Sequence, residues 1–365
     1  MDLKLVKLFN LCLEKNIPFV TFRLPDEDSI KTWIQLSGKF NLLENLLEVA
    51  DKSGFVYAPF HRKTNFPVIF FEPDLIIEKE DFDESLIKEI SDKAPMYPDQ
   101  IFELPHESGK EEYLKQAETF IHSFDKVFTK AVLSRVLLKN KLEHFDIGKF
   151  FFRLQEKYPN VFCHLINIPG AGCWTGATPE TLLKIDKDMV QTVSLAGTQP
   201  TTDSEKEILW KVKEMEEQRL VTNYIIEVFK RFDIRDFQIE GPQTIQAGNA
   251  YHLSTKFSFD KSDIKNKIGA FIENFHPTPA VCGLPKEKAL ELILKTEKHN
   301  REYYSGFCGP MNIEGKTDLY VNLRCMKILK DRLALYVGGG LTGKSLPKKE
   351  WQETELKSRT LLSLI

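Results

Sequence analysis

The chain has 365 residues, of which 42% are hydrophobic and 28% are charged, and its formal net charge is -3. This composition is ordinary for a globular protein, and the slightly negative charge argues against a surface built to bind nucleic acid. The sequence contains no run of about eighteen apolar residues, so we expect no membrane-spanning helix and no membrane partner.

The N-terminus and the cysteines indicate a cytoplasmic protein. Residues 1–4 mix charged and apolar side chains and lack the basic region, apolar core and cleavage site of a signal peptide. The six cysteines form no CxxC pair, and several lie in apolar contexts, as buried free thiols do. A reducing compartment is therefore predicted.

The first hundred residues carry strand-like segments but no motif with an evident chemistry. Residues 19–22 and 68–71 are aromatic and β-branched, which is typical of strands. Residues 94–109 contain three prolines and a glycine and are interpreted as a linker or long loop. We place a soft boundary there.

Strands alternate with helices after this boundary. Residues 131–138 are apolar and β-branched enough for a buried strand, and residues 181–185 and 189–195 form a strand pair around a short turn. Several adjacent strands are close enough in sequence for hairpins, and this favours an α+β fold over a regular βαβ array.

The longest helix is predicted over residues 205–232. Ser204 and Glu207 have the spacing of a capping box at its start. Three apolar residues at helical spacing begin its predicted buried stripe: Ile208, Val212 and Met215.

A strand over residues 333–337 leads into a glycine run, and a final helix covers residues 347–362. Ser345 lies just before this helix and is a candidate for its N-terminal cap.

Each of the two long helices carries an ExxE motif, whose acidic residues are Glu214, Glu217, Glu350 and Glu353. Residues three apart share a helix face, and four carboxylates from two facing helices would make an all-oxygen site suited to Mg²⁺. The alternative is that both motifs are solvated helix faces, since such charge patterns are common. Lys357 follows Glu353 by four residues, so this face also fits an ordinary ion pair.

Three consecutive glycines follow the predicted strand: Gly338, Gly339 and Gly340. Glycines let backbone N–H groups approach an anion, and residues 338–345 formally match the P-loop pattern of nucleotide-binding proteins. Against this, the chain ends about one helix later, and Pro347 interrupts the backbone N–H groups just past the lysine of the pattern. Nucleotide binding and a tight glycine turn both stay open as alternatives.

Three single residues and one loop are further candidates. Lys130 opens an apolar strand, although a lysine there could simply extend from the strand end to solvent. His252 could be a half-buried structural histidine, and residues 276–280 could form only a proline-bracketed turn. Arg324 is predicted inside a largely apolar strand, where a charge usually has an anionic partner.

The order of these features along the chain resembles the chorismate-utilising enzymes, which include isochorismate synthase, salicylate synthase and the large subunits of anthranilate and aminodeoxychorismate synthases. The resemblance extends from about Lys130 to Lys357 and rests on many separate blocks in the family's order. The matching blocks are residues 130–135, 176–180, 195–198, the helix around Glu214 and Glu217, residues 252–255, 276–280, Arg324, residues 338–340 and residues 350–353.

The resemblance implies an α+β fold of the anthranilate synthase large-subunit type, with two packed antiparallel sheets and outer helices. Residues 1–365 would form a single catalytic domain. Residues 1–105 would be a variable N-terminal part that completes this fold, and residues 106–365 would be the chorismate-binding region.

The resemblance also implies a role for each candidate residue. Water must attack the ring carbon of chorismate next to the one that bears the carboxylate, while the ring hydroxyl leaves and the double bond shifts. Lys130 would be the base, and Glu180 would be the acid, which requires a raised pKa. Mg²⁺ would be held by Glu217 and Glu353, with Glu214 and Glu350 completing its shell. The implied substrate contacts are Thr198, His252, Ala280, Arg324, Gly338, Gly339, Gly340 and Lys357.

Lys130 separates the reactions within the family, because its members that use ammonia lack a lysine at this position. A lysine base indicates water as the nucleophile, and residues 276–280 resemble those of isochorismate synthases. The alternatives are a salicylate synthase, which would also eliminate pyruvate, and a homologue that binds chorismate without converting it. A scaffold with solvated acidic helices is the simplest alternative.

The sequence departs from the family in two places. Gln199 stands where relatives often have arginine, and residues 303–306 replace a more common Gly-Trp-Tyr-Ala-Gly segment. Neither change removes a role named above, but both alter the predicted pocket. Without a need to receive ammonia from a partner, the chain is expected to be a monomer.

Overall fold

Two nine-stranded sheets lie at the centre of the part of the chain that the structure, a computed structural model, describes. It describes residues 1–38, 41–49, 52–61, 66–78, 82, 84–200, 208–247 and 250–365, with only the backbone of Val49, Thr198, Pro200, Lys213 and Ala247. The strands are numbered along the chain, and neighbouring strands pair in the antiparallel sense.

The first sheet carries, in spatial order, β14 (Gly283–Leu284), β7 (Lys130–Asn140), β18 (Arg332–Thr342), β17 (Cys325–Ile328), β9 (Gly172–Thr178), β8 (Phe162–Ile168), β1 (Phe19–Arg23), β2 (Lys31–Ile34) and β6 (Leu75–Ile77).

The second sheet carries, in spatial order, β12 (Phe237–Ala247), β13 (Ala250–Asp260), β11 (Met189–Pro200), β10 (Thr181–Asp186), β16 (Thr317–Val321), β15 (Phe307–Met311), β4 (Gly54–Ala58), β5 (Val68–Phe71) and β3 (Asn41–Leu43).

Eight α-helices among the described residues complete the fold: α1 (Leu3–Glu14), α2 (Glu84–Asp92), α3 (Lys110–Ser123), α4 (Ile147–Lys157), α5 (Val212–Arg231), α6 (Ile268–Phe275), α7 (Lys286–Thr296) and α8 (Pro347–Leu362).

Aromatic side chains join the two sheets. Phe162 of β8 stacks on Tyr320 of β16 with ring centroids 4.3 Å apart and an interplanar angle of 5°. Trp174, Tyr57 and Tyr336 lie in the same buried cluster. Burial of such large rings supplies much of the hydrophobic free energy of a core, so this layer fixes how the sheets pack.

The predicted fold class is confirmed, with two packed antiparallel sheets and helices outside them. The first hundred residues supply three strands to each sheet, because β1, β2 and β6 join the first and β3, β4 and β5 join the second. The division into residues 1–105 and 106–365 stays a prediction.

Most of the predicted strands and the last helix are confirmed. The strands at residues 19–22, 68–71 and 131–138 are present, and the hairpin of β10 and β11 pairs Asp186 with Met189. Residues 94–109 lack helix and strand, as predicted for a linker. The last helix has the predicted bounds, Pro347–Leu362.

The start of the long helix was predicted wrongly. Described residues 208–211 are not helical, and α5 begins at Val212, while the predicted capping box of Ser204 and Glu207 lies outside the described residues. Val212 is 68% exposed and Met215 is 55% exposed, so the predicted apolar stripe does not face the core. The buried face of α5 begins later, with Val221, Ile225, Val228 and Phe229.

Ser345 does not cap the last helix. Its Oγ accepts a hydrogen bond from the backbone N–H of Thr342, at 3.1 Å, and so closes the turn between β18 and α8. Among the described residues, no side chain caps α8, whose N-terminal cap position is Leu346. Pro347 is at its first position, where a missing N–H costs nothing.

Candidate active site

A cavity lies where β7 and β18 of the first sheet meet β11, β13, α5 and α8. Its lining contains most of the predicted site residues: Glu180, Glu214, Glu217, His252, Ala280, Arg324, Gly338, Gly339, Gly340, Glu353 and Lys357. The lining also includes residues 179, 195–197, 304, 305 and 323 and hydrophobic side chains of β7, β18 and the loop before β14. These residues are far apart in sequence, so sheet packing creates the site.

Lys130 is the first residue of β7 and lies at the wall of this cavity. Its side chain is 1% exposed, and its Nζ pairs with Oε1 of Glu217 at 2.8 Å. β7 pairs with β18 so that Val132 stands opposite Gly340. The lysine is not itself a lining residue and contacts the cavity through Glu217.

Glu180 follows β9 and is buried in the cavity wall. Burial raises the pKa of its carboxyl to about 7, and Lys130, Lys357 and Arg324 partly oppose this effect while Glu217 adds to it. A carboxyl that keeps its proton near neutral pH can act as a general acid. This agrees with the raised pKa predicted for it.

The raised pKa makes folding stability depend on pH in a defined direction. Above pH 4.5 the unfolded chain loses this proton, whereas the folded chain keeps it up to about pH 7, so Glu180 lowers stability progressively across this window. Glutamine at residue 180 has no proton to lose. We therefore expect the free energy of unfolding of Glu180→Gln to rise, relative to that of the wild type, by on the order of 3 kcal/mol from pH 4.5 to about pH 7. Urea unfolding across this pH range measures the difference, and a constant difference would contradict the raised pKa.

His252 of β13 is held as a neutral hydrogen-bond acceptor. Its Nδ1–H donates to the carbonyl of Gly197 at 2.8 Å, a geometry that assigns the tautomer. Burial, with Arg324, lowers the pKa of the imidazole to about 4, so the ring is uncharged at neutral pH. Its Nε2 is buried without a hydrogen-bond partner among the described residues. Nε2 can therefore accept a hydrogen bond from a hydroxyl in the cavity.

Two cations line another part of the wall. Arg324 donates from Nη1 to Oγ1 of Thr360 at 3.0 Å, and Lys357 donates from Nζ to the carbonyl of Gly338 at 2.9 Å. The Lys357 ammonium also pairs with Oε1 of Glu353 at 2.6 Å. Arginine and lysine side by side suit a carboxylate ligand.

The prediction that Arg324 lies inside a strand is wrong. It lies in the turn between β16 and β17 with a φ of 48°, which is in the left-handed region. The prediction of a charge with an anionic partner nearby is consistent with its place in a cavity that contains Glu353.

The acidic residues converge on the glycine run. Oε2 of Glu350 and Oε1 of Glu353 each lie 3.7 Å from the point where a Cβ of residue 339 would stand. Oε1 of Glu217 lies 2.5 Å from the corresponding point of residue 340. A side chain at residue 340 would fill this space, and its absence leaves room beside the Glu217 carboxylate.

Glu214 has a structural task as well. Its Oε2 accepts a hydrogen bond from the backbone N–H of Lys211 at 3.0 Å, which satisfies a free donor at the start of α5. It also lines the cavity.

The donor set fits Mg²⁺ chemically, since the acidic residues offer hard oxygen ligands beside a space that glycine keeps open. As the side chains stand, however, no three Asp, Glu, His or Cys groups among the described residues are arranged to hold a metal ion. Two of the carboxylates are engaged by lysines instead, Glu217 by Lys130 and Glu353 by Lys357.

The P-loop alternative is wrong. Gly338, Gly339 and Gly340 are extended residues inside β18 of an antiparallel sheet, whereas a P-loop connects a strand of a parallel sheet to a helix. Lys344 of the pattern is exposed and pairs with Glu216 of α5 at 3.1 Å. The glycines serve close packing against carboxylates, not phosphate binding.

Two predicted residues, Lys130 and Glu350, are not among the described residues that line the cavity and stand behind it. Of Thr198 only the backbone, in β11, is described. Of the two departures from the family, Gln199 donates to the carbonyl of Leu209 at 3.0 Å, and Tyr304 lies in the cavity wall beside Gly338.

Sequence reasoning missed Gly197 as a functional residue. Its carbonyl orients His252, and its φ of +69° is one that glycine adopts without strain. The sequence does show this glycine inside a strand-like segment. Periodicity alone, however, does not predict which side chain forms a hydrogen bond with its carbonyl.

A buried ion pair holds two walls of the cavity together. Arg301 pairs with Glu297 at 2.6 Å and donates to the carbonyls of Val132, at 2.7 Å, and Val281, at 2.8 Å. Glu297 Oε1 also accepts from the backbone N–H of Ser134 at 2.7 Å. Val132 and Val281 both line the cavity, so this pair fixes β7 against the loop that precedes β14.

Glu297→Gln is expected to destabilise the fold by about 3 to 5 kcal/mol, because it leaves the buried Arg301 without its counter-charge. Glu216→Gln is the control, since it breaks an exposed pair with Lys344 that is worth less than about 1 kcal/mol. Urea denaturation measures both. Equal effects of the two variants would mean that the buried pair does not stabilise the cavity wall.

Among the described residues, no helix is long and apolar enough to cross a membrane.

Comparison with known proteins gives one family match. The sequence profile described as "Chorismate binding enzyme" matches residues 67–365. The curated protein "Isochorismate synthase EntC" of Escherichia coli (strain K12) is 30% identical over 242 residues, which cover 64% of this chain and 62% of that protein. The chain thus matches less than two thirds of the length of this relative.

Solved structures share the fold over nearly the whole chain. A DhbC protein of Bacillus anthracis, described as a 2,3-dihydroxybenzoate-specific isochorismate synthase, has a TM-score of 0.77 and 22% identity, covering 98% of this chain and 99% of its own. Anthranilate synthase component I from Streptococcus pneumoniae TIGR4 has a TM-score of 0.68 and 19% identity, with coverages of 94% and 92%. Proteins named for different reactions therefore share this architecture, and the likeness shows the fold alone.

Proposed function

The chain belongs to the family of chorismate-binding enzymes, and from this premise we propose that it is a Mg²⁺-dependent isochorismate synthase. The observation that carries the proposal is Glu180, a buried carboxyl with a pKa raised to about 7 in the cavity that His252 and two cations line. The name of the Escherichia coli relative supports the same reaction.

The reaction requires a base for water and an acid for the departing hydroxyl. Lys130 takes a proton from water as the water oxygen bonds to the ring carbon next to the carboxylate-bearing one. The ring double bond shifts, and the C–O bond to the ring hydroxyl breaks as Glu180 gives it a proton. Such proton transfers contribute roughly 10² to 10⁴ each in rate.

The remaining residues bind and orient the substrate. Arg324 and Lys357 hold a carboxylate of chorismate, with Gly338, Gly339 and Ala280 against the ring. His252 accepts a hydrogen bond at Nε2 from a substrate hydroxyl. A neutral ring suits this task, because a charged imidazole could only donate.

Glu217 and Glu353 would hold Mg²⁺, with Glu214 and Glu350 beside them. The ion, when bound, neutralises the ring carboxylate of chorismate and draws charge from the attacked carbon. The room beside Gly340 and the all-oxygen donor set support this assignment.

A salicylate synthase would add one step, the loss of pyruvate from isochorismate. Purified protein incubated with chorismate, with Mg²⁺ and with a chelator, separates these reactions when products are resolved by chromatography and pyruvate is assayed enzymatically. The proposal predicts isochorismate without pyruvate, and only with Mg²⁺. Salicylate with pyruvate would contradict it, and binding without turnover would identify a non-catalytic homologue.

We further propose that the protein works in the cytoplasm. All six cysteines are free and buried, which suits a reducing compartment. The monomeric state stays a prediction, which light scattering at assay concentration tests.

A further inference from the structure

We propose that Lys130 and Lys357 are resident counter-cations of the metal carboxylates, so that metal binding is an exchange of cations. Without metal, the two ammonium groups hold Glu217 and Glu353. Binding of the ion displaces them and frees both lysines to act on water and substrate. This inference rests on the proposed function, because it takes these two glutamates as the metal ligands.

The first pair is geometrically close and largely withdrawn from water. Lys130 Nζ is 2.8 Å from Glu217 Oε1, and the side chains are 1% and 17% exposed. Both lie against Gly340, where a Cβ would be 2.5 Å from Glu217 Oε1 and 3.0 Å from Lys130 Cε. Low exposure strengthens the attraction, because little water screens it.

The second pair already has an alternative partner for its lysine. Lys357 Nζ is 2.6 Å from Glu353 Oε1 and also donates to the carbonyl of Gly338 at 2.9 Å. The side chains of Lys357 and Glu353 are 18% and 32% exposed. If Glu353 turns to a metal ion, Lys357 keeps the Gly338 carbonyl and gains room for a substrate carboxylate.

Coulomb repulsion makes it unfavourable for a metal ion and an ammonium group to bind the same carboxylate oxygen at the same time. A magnesium ion bound about 2.1 Å from an oxygen that also holds an ammonium group would lie at most about 5 Å from that group. A dication and an ammonium group at this distance repel each other, and the repulsion is stronger where burial limits screening by solvent. The observation that no three acidic groups among the described residues stand ready for a metal agrees with carboxylates that are already engaged.

The exchange would make the action of Lys130 as general base depend on metal binding. Lys130 lies at the wall behind Glu217 and is not among the residues that line the cavity, and its Nζ is held by Glu217. Once Glu217 turns to the ion, the Lys130 side chain is free to reach a water molecule in the cavity and, after giving up its proton to solvent, to act as the base. The general base is thus withheld until the metal is in place.

The test is the affinity for Mg²⁺ alone, measured by isothermal titration calorimetry on the full chain without substrate. Lys130→Met and Lys357→Met remove a competing cation while keeping most of the side-chain volume. Each is expected to tighten Mg²⁺ binding by at least about fivefold, the lower range of coupling between two linked ligands.

Two variants control for simple removal of positive charge. Arg324→Gln removes a cation from the same cavity whose described hydrogen bond is to Thr360, and Lys344→Met removes one that pairs with exposed Glu216. Lys344→Met is expected to change the affinity less than about twofold, because solvent screens its exposed pair. Arg324→Gln is expected to tighten binding less than Lys357→Met does, because Arg324 has no ion pair with a metal carboxylate among the described residues. If Arg324→Gln tightens binding as much as Lys357→Met, general repulsion accounts for the effect and the exchange is refuted.

A measurement on the wild-type protein makes the test independent of how well the variants fold. The side-chain nitrogen signals of Lys130 and Lys357 in NMR spectra of lysine-labelled protein should shift on addition of Mg²⁺, while that of Lys344 should not. Unmoved signals with saturable Mg²⁺ binding would refute the exchange and leave the proposed function intact. Absence of Mg²⁺ binding by the wild type would refute both the metal assignment and the exchange, whereas the product assay tests the reaction separately.

Discussion

Replacing Lys130 with alanine is expected to lower kcat by at least about 10²- to 10⁴-fold, the contribution of a positioned general base. The KM for chorismate should stay close to its wild-type value, because Arg324 and Lys357, and not Lys130, line the cavity. Loss of an interaction made only in the transition state has this kinetic signature. Steady-state kinetics with saturating Mg²⁺ measures both constants.

Lys344→Ala is the matched control for this variant. Lys344 also pairs with a glutamate of α5, only one residue from the partner of Lys130, but its side chain is 69% exposed. It should retain wild-type kcat. If Lys130→Ala instead raised KM and left kcat unchanged, Lys130 would bind substrate and would not be the base.

Gly340→Ala is expected to reduce activity by about 100-fold or more although it adds a single methyl group. That methyl would lie 2.5 Å from Glu217 Oε1 and 3.0 Å from Lys130 Cε, distances that force one of them to move. A shift of about 1 Å in catalytic geometry can cost a factor of this size.

Gly343→Ala separates this effect from the general cost of replacing a glycine. Gly343 lies three residues further on, and a Cβ there would meet no atom of the described residues within 4 Å. Activity and stability are expected to stay at wild-type values. Activity of Gly340→Ala near that of Gly343→Ala would show that the space beside Glu217 is not part of the site.

Local sequence patterns were enough to predict helices and strands whose two faces differ in polarity. The apolar run of β7 and the bounds of α8 follow from periodicity and from Pro347 at the helix start. The start of α5 did not follow, because its first apolar residues, Val212 and Met215, are exposed near the cavity rather than buried. Periodicity assumes that apolar side chains face the core, and here this assumption fails.

The glycine run shows why a local pattern is ambiguous about chemistry. Residues 338–345 fit a P-loop by spacing, but antiparallel pairing of β18 with β7 decides against it. Whether neighbouring strands run parallel or antiparallel depends on the whole sheet and cannot be predicted from eight residues. The resemblance to a family supplied the correct alternative, because it used many distant blocks together.

The site residues could be proposed from the sequence, but their pairings could not. The ExxE motifs indicated carboxylates on helix faces, and Lys357 was correctly placed within reach of Glu353. Nothing in the sequence showed that Lys130 pairs with Glu217, since 87 residues separate them and only sheet packing brings them together. The same is true of Gly197 and His252, whose hydrogen bond depends on the register of β11 with β13.

Water as the nucleophile is the central claim, and incorporation of heavy oxygen tests it most directly. Purified protein is incubated with chorismate and Mg²⁺ in water enriched in heavy oxygen, and the product is analysed by mass spectrometry. The account predicts isochorismate that carries one heavy oxygen from solvent, with none in recovered substrate at early times. Isochorismate without the label would show that the hydroxyl does not come from water and would contradict the roles assigned to Lys130 and Glu180.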